Sequence, residues 1–124
     1  MNDRKRSACP VACTLDLLGD KWTLLVIRDL LLGRHTYKEL QAAPERIPSN
    51  ILANRLKRLE REGILSKTLY QERPPRYAYH LTAKGLDLGP VLQAMLTWGS
   101  THVPGTMSRE EVQALFARQG RDLA

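Results

Sequence analysis

The run from Pro48 to Leu81 constrains this chain more than any other segment. It begins PSNILANRLKRLEREG, continues through ILSKTLYQ, turns at ERPP and closes with RYAYHL. Ile51, Leu52, Leu56 and Leu59 fall within one arc of about 140° at 100° per residue, which predicts an amphipathic helix from Pro48 to Glu62. Gly63 supplies the C-terminal stop. LSKTLYQ and RYAYHL read as strands, the second placing Tyr77, Tyr79 and Leu81 on one face, and the proline-stiffened turn makes them a hairpin. Such a helix, handed at once to a short hairpin with a basic tip, needs further helices to bury its leucine arc.

The rest of the chain offers them. Cys9-Pro10 predicts a helix start that runs to about Leu18, with proline at the first helical position. Gly19-Asp20 breaks it, and KWTLLVIRDLLLG then carries an apolar face through Trp22, Leu25, Val26 and Leu30, ending at Gly33. Thr36 caps a short helix to about Ala42, and APERIP is a turn. Thr82 opens a helix that Gly89-Pro90 kinks or divides. Its Leu86, Val91, Leu92, Met95, Leu96 and Trp98 are more apolar surface than a short end helix needs. Ser108 with Glu111 is a capping box for a last helix to about Gln119. The expectation is a single domain over residues 1–124, mainly α with a small β-hairpin: a winged helix-turn-helix with a basic arm at 1–8 and a helical extension at 104–124.

Charge points to the partner. Of the net +6 of the 124-residue chain, +5 lies between Arg46 and Arg76, where eight basic residues meet three acidic ones. A block of that sign suits a polyanion. Opposite the leucine arc lie Asn50, Ala53, Asn54, Lys57 and Arg61, with Arg58 at the edge. Asn pairs bidentately with adenine, Lys and Arg with guanine or phosphate, and small Ala53 allows close approach to base edges. Ser49 and Asn50 occupy the first turn, whose N–H groups favour phosphate. Thr36 and Lys38 are candidate backbone-positioning contacts, with Tyr37 either joining them or lying in the core. Arg73 and Arg76 flank the prolines of the hairpin tip, placed for a minor groove or the backbone. Arg55 falls near the leucines and reads as a structural ion-pair residue instead.

Taken together, CPVACTLDLLGDKWTLLVIRDLLLG, TYKEL, IPSNILANRLKRLEREGIL and YQERPPRYAYHLTAKGLDLGPVLQAMLTWG resemble the HxlR family of bacterial transcription regulators from about Cys9 to Gly99. The resemblance implies a winged-helix homodimer, with the first and late helices of each subunit forming the interface and two recognition helices presented to a palindromic or pseudo-palindromic DNA operator. Members act as repressors or activators. A common form of the family has Ser or Ala where this chain has Pro48, which leaves Ile47 as a poor cap.

Cys9 matches a cysteine common near the start of that family, where some members resemble thiol-based sensors of oxidants or electrophiles. A thiol at a helix N-terminus near Arg4, Lys5 and Arg6 is expected to have a lowered pKa. Cys13 lies one turn later, facing the core. An intrahelical Cys9–Cys13 disulfide needs distortion, so an intersubunit or mixed disulfide is the expected oxidised form. The alternative is two small apolar helix residues. A small-molecule effector between the dimer helices is a further reading.

Other chemistries find little support. A C-x3-C pair without neighbouring histidines lacks a standard metal ligand set, and His35, His80 and His102 are far apart in sequence. No nucleophile-base signature, phosphate-cradling loop or nucleotide motif is present, so neither an enzyme nor a cofactor is expected. Trp22 and Trp98 lie in apolar helical registers and suit core and interface. The longest apolar runs, LLVI and LLL, predict no membrane span, and no secretion signal is apparent, so a cytoplasmic location is expected. Competing readings are a winged-helix module that docks an acidic protein, and a thiol redox protein with incidental DNA affinity.

Overall fold

A computed structural model describes residues 6–118. The expected positions of Arg4 and Lys5 in the arm, and of the last helix's end at Gln119, lie outside the described residues. The elements follow as α1 (Pro10–Leu18), α2 (Thr23–Leu31), α3 (Tyr37–Gln41), α4 (Ser49–Arg61), β1 (Leu65–Gln71), β2 (Arg76–Leu81), α5 (Ala83–Leu86), α6 (Gly89–His102) and α7 (Arg109–Arg118).

Each boundary has a local cause. Asp20 stops α1 from continuing and opens α2, because its carboxylate accepts from the N–H groups of Trp22 at 3.1 Å and Thr23 at 3.2 Å. Thr36 and Glu39 form a reciprocal capping box on α3. Gly63 adopts φ +74, a left-handed turn that closes α4 where a side chain would strain it. The Gly89-Pro90 pair divides the expected late helix into α5 and α6, since proline at the start of α6 has no N–H with which to continue α5. One boundary shifts. Pro48 is the cap residue of α4, not its first helical residue, with ψ 143 and no side-chain cap bond. The first turn is held from outside instead: the Tyr37 hydroxyl donates to the Ser49 carbonyl and lies 2.9 Å from Ser49 Oγ.

The core forms where the leucine arc of α4 meets α2. Leu52, Leu56 and Leu59 are buried against a cluster that includes Ile27, Leu30, Leu40 and Ile64, while Ile51 sits half-buried at its edge. Burying each leucine stabilises the fold by about 2 kcal/mol, and together they fix the rotation of α4. β1 and β2 pair antiparallel from Leu65↔Leu81 to Gln71↔Arg76, with a register irregularity between Leu69 and Gln71. A bridge from Thr36 to Ala78, and a bond from Tyr79 N–H to the His35 carbonyl at 2.8 Å, lash the hairpin to the start of α3. The architecture is a winged helix-turn-helix, with α3 and α4 as the helix pair and β1–β2 as the wing. Among the described residues, no helix is long and apolar enough to cross a membrane.

Candidate nucleic-acid interface

The structure brings the α4 candidates to one uncovered side. Ser49, Asn50, Ala53, Asn54, Lys57 and Arg61 are all exposed. Packing of the leucines on the opposite side dictates this, because residues three and four apart share a helix face. The acids are kept off it. Glu60 lies 3.7 Å from Lys67 at the root of the wing, and Lys67 also stands over the Tyr77 ring at 4.4 Å.

Two arginines of α4 turn out to be struts. Arg55 Nε donates to Asp20 Oδ2 at 2.8 Å, the structural ion pair its place beside the leucines suggested. Burial alone would raise the Asp20 pKa, but hydrogen bonds from Thr23 and Arg55 outweigh it and hold the group at about 2. Arg58, expected at the DNA-facing edge, is half-buried, and its guanidinium donates to the Asp16 carbonyl of α1 at 2.8 Å. It ties α4 to α1, a contact between residues 42 apart that periodicity could not reveal.

Arg55 also organises a neighbour. Its second guanidinium nitrogen donates to Asn54 Oδ1 at 2.6 Å. A guanidinium only donates, so the Asn54 carbonyl is turned towards Arg55, leaving a second lone pair and both amide hydrogens for an outside partner. Those are the groups an adenine edge requires.

The flanking candidates divide. Arg73 and Arg76 are exposed at the wing tip, where Gln71 Nε2 donates to the Pro74 carbonyl at 3.0 Å and closes the turn. Lys38 is exposed. The Thr36 hydroxyl is occupied as a cap, accepting from Glu39 N–H at 3.2 Å. Tyr37 is half-buried and anchors Ser49, so it serves the core and the start of α4 together.

At the other end of the molecule, Cys9 is exposed and Cys13 half-buried, and neither forms a disulfide. The N–H groups of Ala12 and then Val11 lower the Cys9 pKa, as expected for a thiol at a helix start. The Arg6 guanidinium, expected beside this thiol, instead donates to Asp16 Oδ1 at 2.7 Å and to the Ala12 carbonyl. Cys13 Sγ donates to the Ser7 carbonyl at 3.3 Å.

Two groupings escaped the sequence reading. Asp29 is buried within α2 and takes Arg28 Nε and Arg34 at 3.0 Å each, while Arg28 grips both carboxylate oxygens of Glu45 at 2.9 and 2.7 Å. Burial pushes Asp29 up despite these cations. An Arg-Asp pair inside an otherwise apolar helix was the available signal. His35 and His80, distant in sequence, have ring centroids 4.6 Å apart because the wing folds back on the α3 start. Among the described residues, no group of three or more metal-ligating side chains assembles.

With that geometry in place, comparison with known proteins decides the family. The HxlR-like helix-turn-helix profile matches residues 17–107. This chain belongs to that family. It is 41% identical over 92 residues to the HTH-type transcriptional regulator sll1512 of Synechocystis, covering 74% of this chain and 68% of that one. In structure it is similar to reduced YodB of Bacillus subtilis, a transcriptional regulator, with TM-score 0.65 and 32% identity over 82% of this chain and all of that one. It is also similar to the redox regulator HypR in its reduced form, with TM-score 0.70 and 30% identity over 77% of this chain and 95% of that one. This HxlR-like protein is therefore a helix-turn-helix transcriptional regulator and not an enzyme.

Proposed function

We propose that this HxlR-like regulator reads a pseudo-palindromic operator as a homodimer, with Asn50, Asn54, Lys57 and Arg61 of α4 in the major groove and Arg73 and Arg76 of the wing on the minor groove or backbone. The observation that carries this reading is the exposed, acid-free centre of α4, whose rotation is locked by a leucine arc and two arginine struts. Ser49 and Lys38 contact phosphate, and the Thr36 hydroxyl hydrogen remains available for the same use. Arg58 reaches DNA only if it leaves the Asp16 carbonyl, so its first role is to position α4 relative to α1.

Dimerisation is supported by apolar side chains left in water. On α1, Val11 and Leu15 are 67% and 54% exposed, and on α6, Met95 and Trp98 are 51% and 62% exposed. A second copy covering these helices would place two recognition helices about 34 Å apart, one duplex turn. Selection of bound sequences from random or genomic DNA tests the reading. Inverted half-sites one turn apart and steep loss of affinity with salt are expected. Equal affinity for selected and random DNA would overturn it.

A second reading concerns control. Cys9 is exposed with its thiolate favoured, and the similar HypR is a redox regulator. Oxidation of Cys9 to a disulfide, with a second subunit or a small thiol, is proposed to change operator affinity. Cys9→Ser should abolish the response to diamide, which accepts the two electrons and two protons released by the thiols. A variant that responds as fully as the parent protein sinks this assignment.

A further inference from the structure

A cleft of about 480 Å³ opens between α2, α6 and the turn before α7, walled by Leu24, Leu92, Met95, Gly99, Met107 and Phe116. That volume suits a small organic molecule. A second depression of about 390 Å³ shares Arg28, Leu96, Met107, Val112 and Phe116 with it and extends to Arg34 and Glu45. The α7 wall lies beyond the 17–107 region shared with the family.

The chemistry of the walls defines an occupant. Arg28 pairs with Asp29 and Glu45 and Arg34 with Asp29, and the Glu39 carboxylate beside the second depression caps α3, so the charged groups here already have partners and none calls for a ligand charge. The hydroxyls of Ser100 and Thr106 already donate to carbonyls of α6 and its C-cap. What remains is apolar and adaptable. Met107 is about half exposed there, and thioethers pack well against aromatic rings. Gly99 forms part of the floor. Among the described residues, a Cβ built on this glycine meets nothing within 4 Å, so none of them calls for glycine at that point of a helix, where alanine would hold the helix better. The missing side chain keeps the cleft floor open.

The same cleft touches the machinery that sets α4. Arg28 lines it, and Arg28 grips Glu45 in the turn between α3 and α4. The next residue, Arg46, holds φ +55, a conformation that a non-glycine side chain adopts reluctantly. The Arg28–Glu45 clamp keeps that turn in place one residue before Ile47 and Pro48 lead into α4. We propose that the cleft binds a neutral, flat aromatic effector, and that Arg28 and Glu45 pass its occupancy to the recognition helix. The second half rests on the reading that α4 binds operator DNA. A ligand that draws Arg28 from Glu45 frees the turn, and operator affinity changes by the ligand's preference for the freed state.

The probe is N-phenyl-1-naphthylamine, a neutral fluorophore, titrated into the full chain. Saturable binding at one site per chain is expected. Gly99→Leu should weaken it about ten-fold or more without changing the mass by light scattering, and Gly99→Ala, which fits the open space, should weaken it less and serves if the leucine variant fails to fold. Saturating probe should shift operator affinity of the parent protein, whereas Glu45→Gln, outside the main cleft, should bind the probe normally and lose the shift. Absence of saturable binding, or undiminished binding in both Gly99 variants, overturns the site. A Gly99→Leu protein that loses its dimer, with no probe site in the parent, assigns the cleft to packing between copies and overturns it equally. Probe binding with no shift overturns the relay. Failure to find any operator refutes the DNA reading while leaving the probe titration to decide the site.

Discussion

Helices α4 and α6 each bury one face and leave the other uncovered, and the uncovered faces differ in kind. On α4 the exposed residues include Asn50, Asn54, Lys57 and Arg61, which lose little by meeting water. On α6 the large apolar ones are Val91, Met95 and Trp98, at 41%, 51% and 62% exposure. Apolar area of that size, in register on one side, gains free energy when covered, whereas the α4 face gains only from a partner that offers matching charge and hydrogen bonds. The contrast teaches that a helix's free face can be classified by what would have to replace water on it.

The largest expected effect breaks the α6 side. A Met95→Glu, Trp98→Glu double variant should sediment as a monomer with unchanged far-ultraviolet circular dichroism, since both side chains lie outside the core. Its operator affinity should fall about 100-fold or more, because the second half-site no longer binds intramolecularly. A dimer of unaltered affinity would show that α6 is not the interface. Next, Asn54→Ala should relax base choice at one position by about 1–3 kcal/mol, measured by competition between operator variants. Arg76→Ala should instead weaken all sequences alike and reduce the salt slope by about 1. If the two variants behave the same way, the division between a reading helix and a positioning wing fails.

The struts behind α4 give the next effect. Arg55→Met should destabilise the fold by about 2 kcal/mol in chemical denaturation, as it leaves the half-buried Asp20 without its cation. Asp20 adds a pH signature. Its folded pKa of about 2 lies below the ordinary 3.8, so its contribution is fully present above about pH 4 and is lost as the pH falls towards 2. Asp20→Asn should flatten that window. The smallest effect is a gain: Gly99→Ala should raise stability by about 0.8–1 kcal/mol in thermal melts, because the new methyl group meets no atom within 4 Å.

The legible parts of this protein were the local ones. Ile51, Leu52, Leu56 and Leu59 announced a buried arc, the Thr36–Glu39 box and Gly63 marked helix ends, and the proline-tipped hairpin followed from alternation. The face opposite the arc was readable by subtraction. Arg55 was recognisable as structural because it shared the leucine side of the helix. Arg58 was not, because its partner is a backbone carbonyl of α1, and no side-chain pattern advertises a carbonyl. The Arg28–Asp29–Arg34–Glu45 network was equally hidden, since charge in an apolar helix signals a partner without saying where it lies.

What the sequence by itself determined is therefore the set of helices and strands, their buried sides and the basic character of the α4 and wing surface. Those depend on repeats of two or three to four residues and on caps, all of which act between near neighbours. Tertiary structure alone decided which arginines face outward and which brace α4, that Tyr37 holds the start of that helix, and that His35 meets His80. It also decided that Gly99 borders open space beside Arg28. Long flexible side chains choose partners by distance in space, and that distance exists only once α1, α2 and the wing have packed around α4.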